Sequence, residues 1–265
     1  MNGYNFLIDT HTHIDGKDFD EDRDDVIKRA ITSNIKYMIN VGGTDILEGS
    51  KRAVKLSKEY DNIFATAGQH PQDADTHLDI DTLYKLANEP NVVAIGETGL
   101  DFYKDWSDFD KQKELLKTHI EIAKSVNKPL IIHSRNSGKD AVKILKECDA
   151  SKVGGVFHCF SESLEIYNEI EKLNFIVSFT GVITFKNANK VRETVKKIPL
   201  SNIMVETDAP YMTPEPFRGT RCEPAYTLYT AKMLAQIKEC SLEEVMNITT
   251  SNAVRLFKLE DKINK

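Results

Sequence analysis

A chain of 265 residues with 40% hydrophobic content can bury one large core, and it falls in the size range of a single α/β barrel domain. Its net charge of -6 offers no broad attraction to a phosphate backbone, so a phosphate partner has to be held locally, by a built site. The start lacks a basic segment leading into an apolar one, and no later run approaches the roughly 20 apolar residues of a membrane span; a cytoplasmic protein with no membrane partner is expected.

In chain order, short apolar and β-branched runs fall at residues 5–9, 36–41, 63–68, 92–97, 129–133, 154–158, 175–179 and 203–207. These are eight candidate strands. Helical periodicity fills the gaps between them. It is clearest where Leu116, Ile120, Ala123 and Val126 share a face behind an expected N-cap at Ser107, and it returns at Val191, Val195 and Ile198. A last helix is expected from the capping box of Ser241 and Glu244 to Leu256 and Phe257. Strands alternating with helices pair in parallel through crossovers, and eight such units predict an α/β fold of the TIM (β/α)8 barrel type, one domain over residues 1–265. An open doubly wound sheet would call for a GxGxxG turn after an early strand, and the sequence has none. Cys148, Cys159, Cys222 and Cys240 are scattered without a CxxC pair and read as reduced thiols, Cys159 as a packing residue turned toward the helices by strand alternation.

The chemistry-bearing residues collect at strand ends. His11 and His13 end the first run, His70 follows the third, Glu97 ends the fourth, His133 the fifth and His158 the sixth, and Asp208 follows the eighth. In a barrel of this kind the active site lies at the C-terminal ends of the strands. Residues two apart on extended chain point to one side, so His11 and His13 can grip one ion. Burying so many ionisable groups together would be costly without a cation. Six ligands suit two ions sharing one carboxylate, with Glu97 the candidate bridge, His11, His13 and Asp208 on one ion, and His133 and His158 on the other. A single ion with spare histidines around it is the alternative. The ligand types favour zinc, manganese, cobalt or iron, with magnesium admissible. Asp101 can hydrogen-bond a metal-bound histidine, while His77 and His119 are expected to stay outside the site.

The segments DTHTH (9–13), GQHP (68–71), AIGETGLD (94–101), IIHSR (131–135), FHCFS (157–161), ETDAP (206–210), RGTRCEP (218–224) and NAVRLF (252–257) resemble, in order, those of the TatD-related metal-dependent deoxyribonucleases, which are amidohydrolase-like barrels. The resemblance implies two divalent metals and hydrolysis of DNA phosphodiester bonds; the acidic chain, with no broad duplex-binding face, points to action mainly on single strands or ends. On this reading Asp208 and Glu97 act at the reacting atoms, and His70, Arg218 and Arg221 contact substrate. Glu162 and Cys222 depart from the usual pattern, in which glycine and asparagine stand there, and bear on substrate preference. Two rival functions are hydrolysis of another bond by the same site (amide, lactone, phosphotriester or misacylated-tRNA ester) and a non-catalytic metal-binding role.

Overall fold

The structure, a computed structural model, describes residues 3–263. Strands and helices alternate through β1 (Leu7–Thr12), α1 (Arg23–Thr32), β2 (Ile35–Asn40), α2 (Leu47–Glu59), β3 (Ile63–Ala67), α3 (Ile80–Ala87), β4 (Val92–Asp101) and α4 (Phe109–Val126). They continue through β5 (Leu130–Arg135), α5 (Gly138–Glu147), β6 (Gly155–Phe157), α6 (Leu164–Glu171), β7 (Phe175–Phe179), α7 (Asn189–Lys197) and β8 (Ile203–Val205), followed by α8 (Thr227–Lys238) and α9 (Leu242–Phe257). The strands stand in one parallel sheet in the order β1 to β8 and form a nearly closed TIM barrel. No described helix is long and apolar enough to cross a membrane.

Two compact units make up the chain: residues 3–40 with 177–263, and residues 41–176. In the first, β1 pairs with β2 from Leu7↔Ile35 to Thr12↔Asn40, β7 pairs with β8 from Val177↔Ile203, and Thr12 bridges to Ala209 beyond β8. Helix α9 fastens this unit. Asn252 Nδ2 donates to Ile203 O (2.8 Å) and Leu200 O (3.0 Å), and Thr250 Oγ1 donates to Phe6 O (2.7 Å), which gives the NAVRLF segment its structural task. Ser241 caps α9 by accepting from Glu244 N–H, as its capping pattern predicts.

In the second unit β3, β4, β5 and β6 run side by side, with Ala65 opposite Val92, Gly99 opposite His133 and Leu130 opposite Gly155. All ten residues of β4 are buried. The strand outruns its predicted end at Glu97 because Gly96 and Gly99 adopt φ of +144° and +140°. A Cβ at Gly99 would lie 2.0 Å from His133 O. The register slips between Ile95 and Thr98, a bulge that re-aims the side chain between them, Glu97.

Other boundaries also differ from the sequence reading. β6 stops at Phe157, and Cys159 sits beyond it at φ +44°, so alternation along a strand does not set its direction. Asp108, not Ser107, caps α4, its Oδ1 accepting from Asp110 and Lys111 N–H, while the Ser107 hydroxyl donates to Pro71 O (2.7 Å).

Candidate metal centre

In the first unit, His11 and His13 turn to one side of the chain, as strand alternation predicts. His11 Nε2 and His13 Nε2 lie 3.2 Å apart, and Asp208 Oδ1 stands 3.6 Å from the first and 3.5 Å from the second. All three are buried. The backbone sets this arrangement: Asp208, at φ +60°, donates its N–H to His11 O (2.8 Å), and His13 N–H donates to Ala209 O (2.8 Å). Beneath them Asp9, fully buried, accepts from Thr207 N–H (2.9 Å) and the Thr207 hydroxyl (2.6 Å). Burial pushes the Asp9 carboxyl up to about 8 even though these two bonds pull the other way.

In the second unit, Glu97 is the hub. Its Oε1 lies 2.7 Å from His158 Nε2, 2.9 Å from His133 Nδ1 and 3.5 Å from His70 Nε2. The two facing nitrogens of His133 and His158 are 3.3 Å apart. On its other side His133 presents Nε2 to Asp101 Oδ2 at 3.3 Å, and the Gln72 amide donates to that same oxygen (2.8 Å). Burial disfavours charge on both His133 and Asp101. The hydrogen bonds win on each: His133 is pushed up by Asp101 and Glu97, and Asp101 is held well below the usual carboxylate range by His133, Gln72 and Tyr103 N–H. An imidazole set between two carboxylates marks a place where positive charge is stabilised.

His70 differs from the other histidines here. Its Nδ1 accepts from Gln72 N–H (3.2 Å), which leaves the proton on Nε2, the nitrogen facing Glu97. Burial lowers its pKa, so it stands as a neutral N–H donor and not as a ligand. The turn bearing it is tied down by His119, whose Nε2 accepts from Gln69 N–H (3.0 Å) and whose Nδ1–H donates to Leu115 O (2.8 Å). His119 is fully buried, its pKa pushed down to about 4 by that burial. Sequence reasoning missed this task, because the pair spans 50 residues and no short spacing signals it.

Both donor sets fit a metal. An ion bound by imidazole at about 2.0–2.1 Å in tetrahedral geometry spaces neighbouring donors about 3.3–3.4 Å apart, and octahedral geometry spaces them about 2.9 Å apart. The nitrogen pairs at 3.2 and 3.3 Å and the Glu97 contacts at 2.7 and 2.9 Å match such edges. Within the second unit, donor atoms of His70, Glu97 and His133 also meet the spacing of a metal-holding group, although the His70 tautomer makes it a donor there.

The remaining candidates are placed as follows. Arg221 forks onto Asp22 through Nη1 (2.8 Å) and Nη2 (2.7 Å), so its guanidinium is committed to a carboxylate. Arg218 is exposed, stacks 3.8 Å over the Phe185 ring and donates to Thr213 O (3.1 Å). Glu162 caps a helix: its Oε1 accepts from Gly138 N–H (3.1 Å) and the Ser134 hydroxyl (3.0 Å), at the positive end of α5. Cys222 is wholly buried, and burial together with the nearby charges of Asp9 and Asp208 drives its thiol pKa up, so it is a neutral packing residue. His77 lies in the loop before α3.

Residues 8–258 match the sequence model of the TatD related DNase family. Among similar proteins, the uncharacterized metal-dependent hydrolase YabD of Bacillus subtilis (strain 168) is 45% identical, over 96% of this chain and 99% of its own. The uncharacterized metal-dependent hydrolase YcfH of Escherichia coli (strain K12) is 38% identical, over 96% and 97%. The crystal structure of YJJV, a TatD homolog from Escherichia coli K12, superposes with a TM-score of 0.89 at 30% identity, covering 95% of this chain and 98% of that one. With its barrel, its two donor sets and this similarity over nearly its whole length, the chain belongs to the TatD-related family and is a metal-dependent hydrolase.

Proposed function

We propose that this enzyme is a deoxyribonuclease, a hydrolase of DNA phosphodiester bonds acting on single strands or ends, with two divalent ions per subunit. The reading is carried by the Glu97 cluster, where one carboxylate oxygen meets His133 and His158 at coordination-edge spacing beside a neutral His70 N–H. His11, His13 and Asp208 would hold one ion, and Glu97, His133 and His158 the other. Such ions supply a Lewis acid for the phosphoryl oxygens and a water of lowered pKa.

The protein's own groups do the rest. Asp208 takes the proton of the attacking water, its position fixed by the backbone bond to His11. His70 donates its Nε2–H to a phosphoryl oxygen, adding to the stabilisation of developing charge. Arg218, exposed on the loop after β8, is a second phosphate contact, while Arg221 would reach phosphate only by leaving Asp22. The four cysteines are free thiols, which suits a cytoplasmic setting.

The test is to strip the protein with chelator and offer end-labelled single- and double-stranded DNA, adding back zinc, manganese, cobalt, iron or magnesium one at a time. Metal-dependent shortening of the single strand, from its ends, is expected. No cleavage with any metal, alongside turnover of a lactone, amide or phosphotriester, would assign the site to another bond.

A further inference from the structure

The loop after β4 carries two aromatic side chains that the catalytic reading does not use. Tyr103 is 50% exposed and Trp106 51% exposed, although rings of this size bury readily. Cations flank both: the Arg135 guanidinium lies 3.7 Å from the Tyr103 ring centre, and Lys104 Nζ lies 5.1 Å from the Trp106 centre and 5.8 Å from that of Tyr103. The result is a pair of half-exposed rings with cations set over them, on a chain whose overall charge is negative.

The face is anchored directly to the metal cluster. Tyr103 N–H donates to Asp101 Oδ1 (3.0 Å), and the other oxygen of that carboxylate contacts His133. Arg135 lies two residues beyond His133 on β5, and its carbonyl accepts from Phe102 N–H (2.9 Å). At the far end of the loop the Ser107 hydroxyl donates to Pro71 O, next to His70, and Phe102 packs on Phe109 at 4.5 Å between ring centres. Residues 103–106 are therefore pinned at both ends to the residues that would read the scissile phosphate.

We propose that Tyr103 and Trp106, with Arg135 and Lys104, form a stacking platform for the nucleobases flanking the scissile phosphate of single-stranded DNA. The proposal rests on the nuclease reading and deepens it. Flat faces accept any base, and the flanking cations take the neighbouring phosphates, which is how single strands are held without sequence preference. A paired duplex has no free base face to offer, so the platform favours single strands and frayed ends.

Trp106 is the chain's one tryptophan and so a built-in reporter. The metal-free protein, in chelator to prevent hydrolysis, is titrated with a twelve-residue oligothymidylate and with an abasic phosphodiester chain of equal length. Indole quenching by the oligothymidylate is expected, with the abasic chain binding about tenfold or more weaker and without quenching. Tyr103→Ala should weaken oligothymidylate binding about tenfold or more, and Tyr103→Phe should restore it. Trp106→Ala, followed by anisotropy of a labelled strand, should bind about tenfold or more weaker, and Trp106→Phe should restore binding. Equal affinity for the two chains, or Tyr103→Ala binding like the parent at an unchanged melting temperature, overturns the platform. Cleavage assays on the same oligonucleotide keep the two claims apart. Cleavage without base-dependent binding overturns the platform and leaves the nuclease reading standing, whereas base-dependent binding without cleavage under any metal supports the platform and removes the nuclease reading.

Discussion

Glu97 and Asp208 are both buried carboxylates among histidines, and the proposed mechanism gives them different work. Glu97 meets imidazole nitrogens at 2.7 and 2.9 Å, whereas Asp208 stands 3.5 and 3.6 Å from its pair. Glu97→Gln removes charge from the hub and should lose metal and turnover together, since ligands supply both charge and geometry. Asp208→Asn keeps a coordinating oxygen but cannot accept a proton; its metal should be largely retained while turnover falls by a factor on the order of 100. Metal content and rate measured on both variants in one buffer decide the matter, and equal metal loss in the two would make Asp208 chiefly a ligand. His119 gives a prediction about pH. Burial holds its folded pKa at about 4, below the ordinary histidine value of 6.5, so its contribution is intact above about 6.5 and is lost as pH falls toward 4, where the unfolded chain takes up a proton and the folded one does not. That loss should be on the order of 3 kcal/mol and should be missing from His119→Gln in urea melts at pH 7 and pH 4. A parallel pH dependence in parent and variant would contradict it. The HxH pair was readable in the sequence because strand alternation fixes its direction. Asp9 and His119 were not, because their partners Thr207 and Gln69 become neighbours only on folding.

Among the elements, strand positions were legible because their apolar runs are short, β-branched and evenly interleaved with helical patterns. Their ends were not, because ends are set by single backbone conformations. Gly96 and Gly99 carry β4 to Asp101 through a bulge, and Cys159 at positive φ ends the neighbourhood of β6 early. The cap of α4 moved by one residue because Asp108 caps with its carboxylate while the Ser107 hydroxyl serves Pro71. Gly99 gives the sharpest test at this scale. In Gly99→Ala the new Cβ would meet the backbone carbonyl of His133, so β5 must shift or the strand must open. A loss of about 2 kcal/mol or more is expected, with weakened metal retention because His133 moves with its carbonyl. An unfolding free energy within about 0.5 kcal/mol of the parent, from denaturant melts, would show that the bulge tolerates a side chain.

For the whole molecule, eight alternating strand and helix patterns predict the barrel, and a barrel collects its chemistry at one end of the strands. The eight-stranded parallel sheet, in the order β1 to β8, bears that architecture out. What sequence could not supply was the donor geometry, because nitrogen-to-nitrogen separations of 3.2 and 3.3 Å depend on rotamers that packing selects. Each of the two donor sets is proposed to hold one ion, with Glu97 the carboxylate of the second. The most direct test is elemental analysis of chelator-stripped protein after reconstitution and removal of loose metal. Two ions per chain are expected in the parent and a marked loss in Glu97→Gln; saturation of the parent at one ion would rule out the second site.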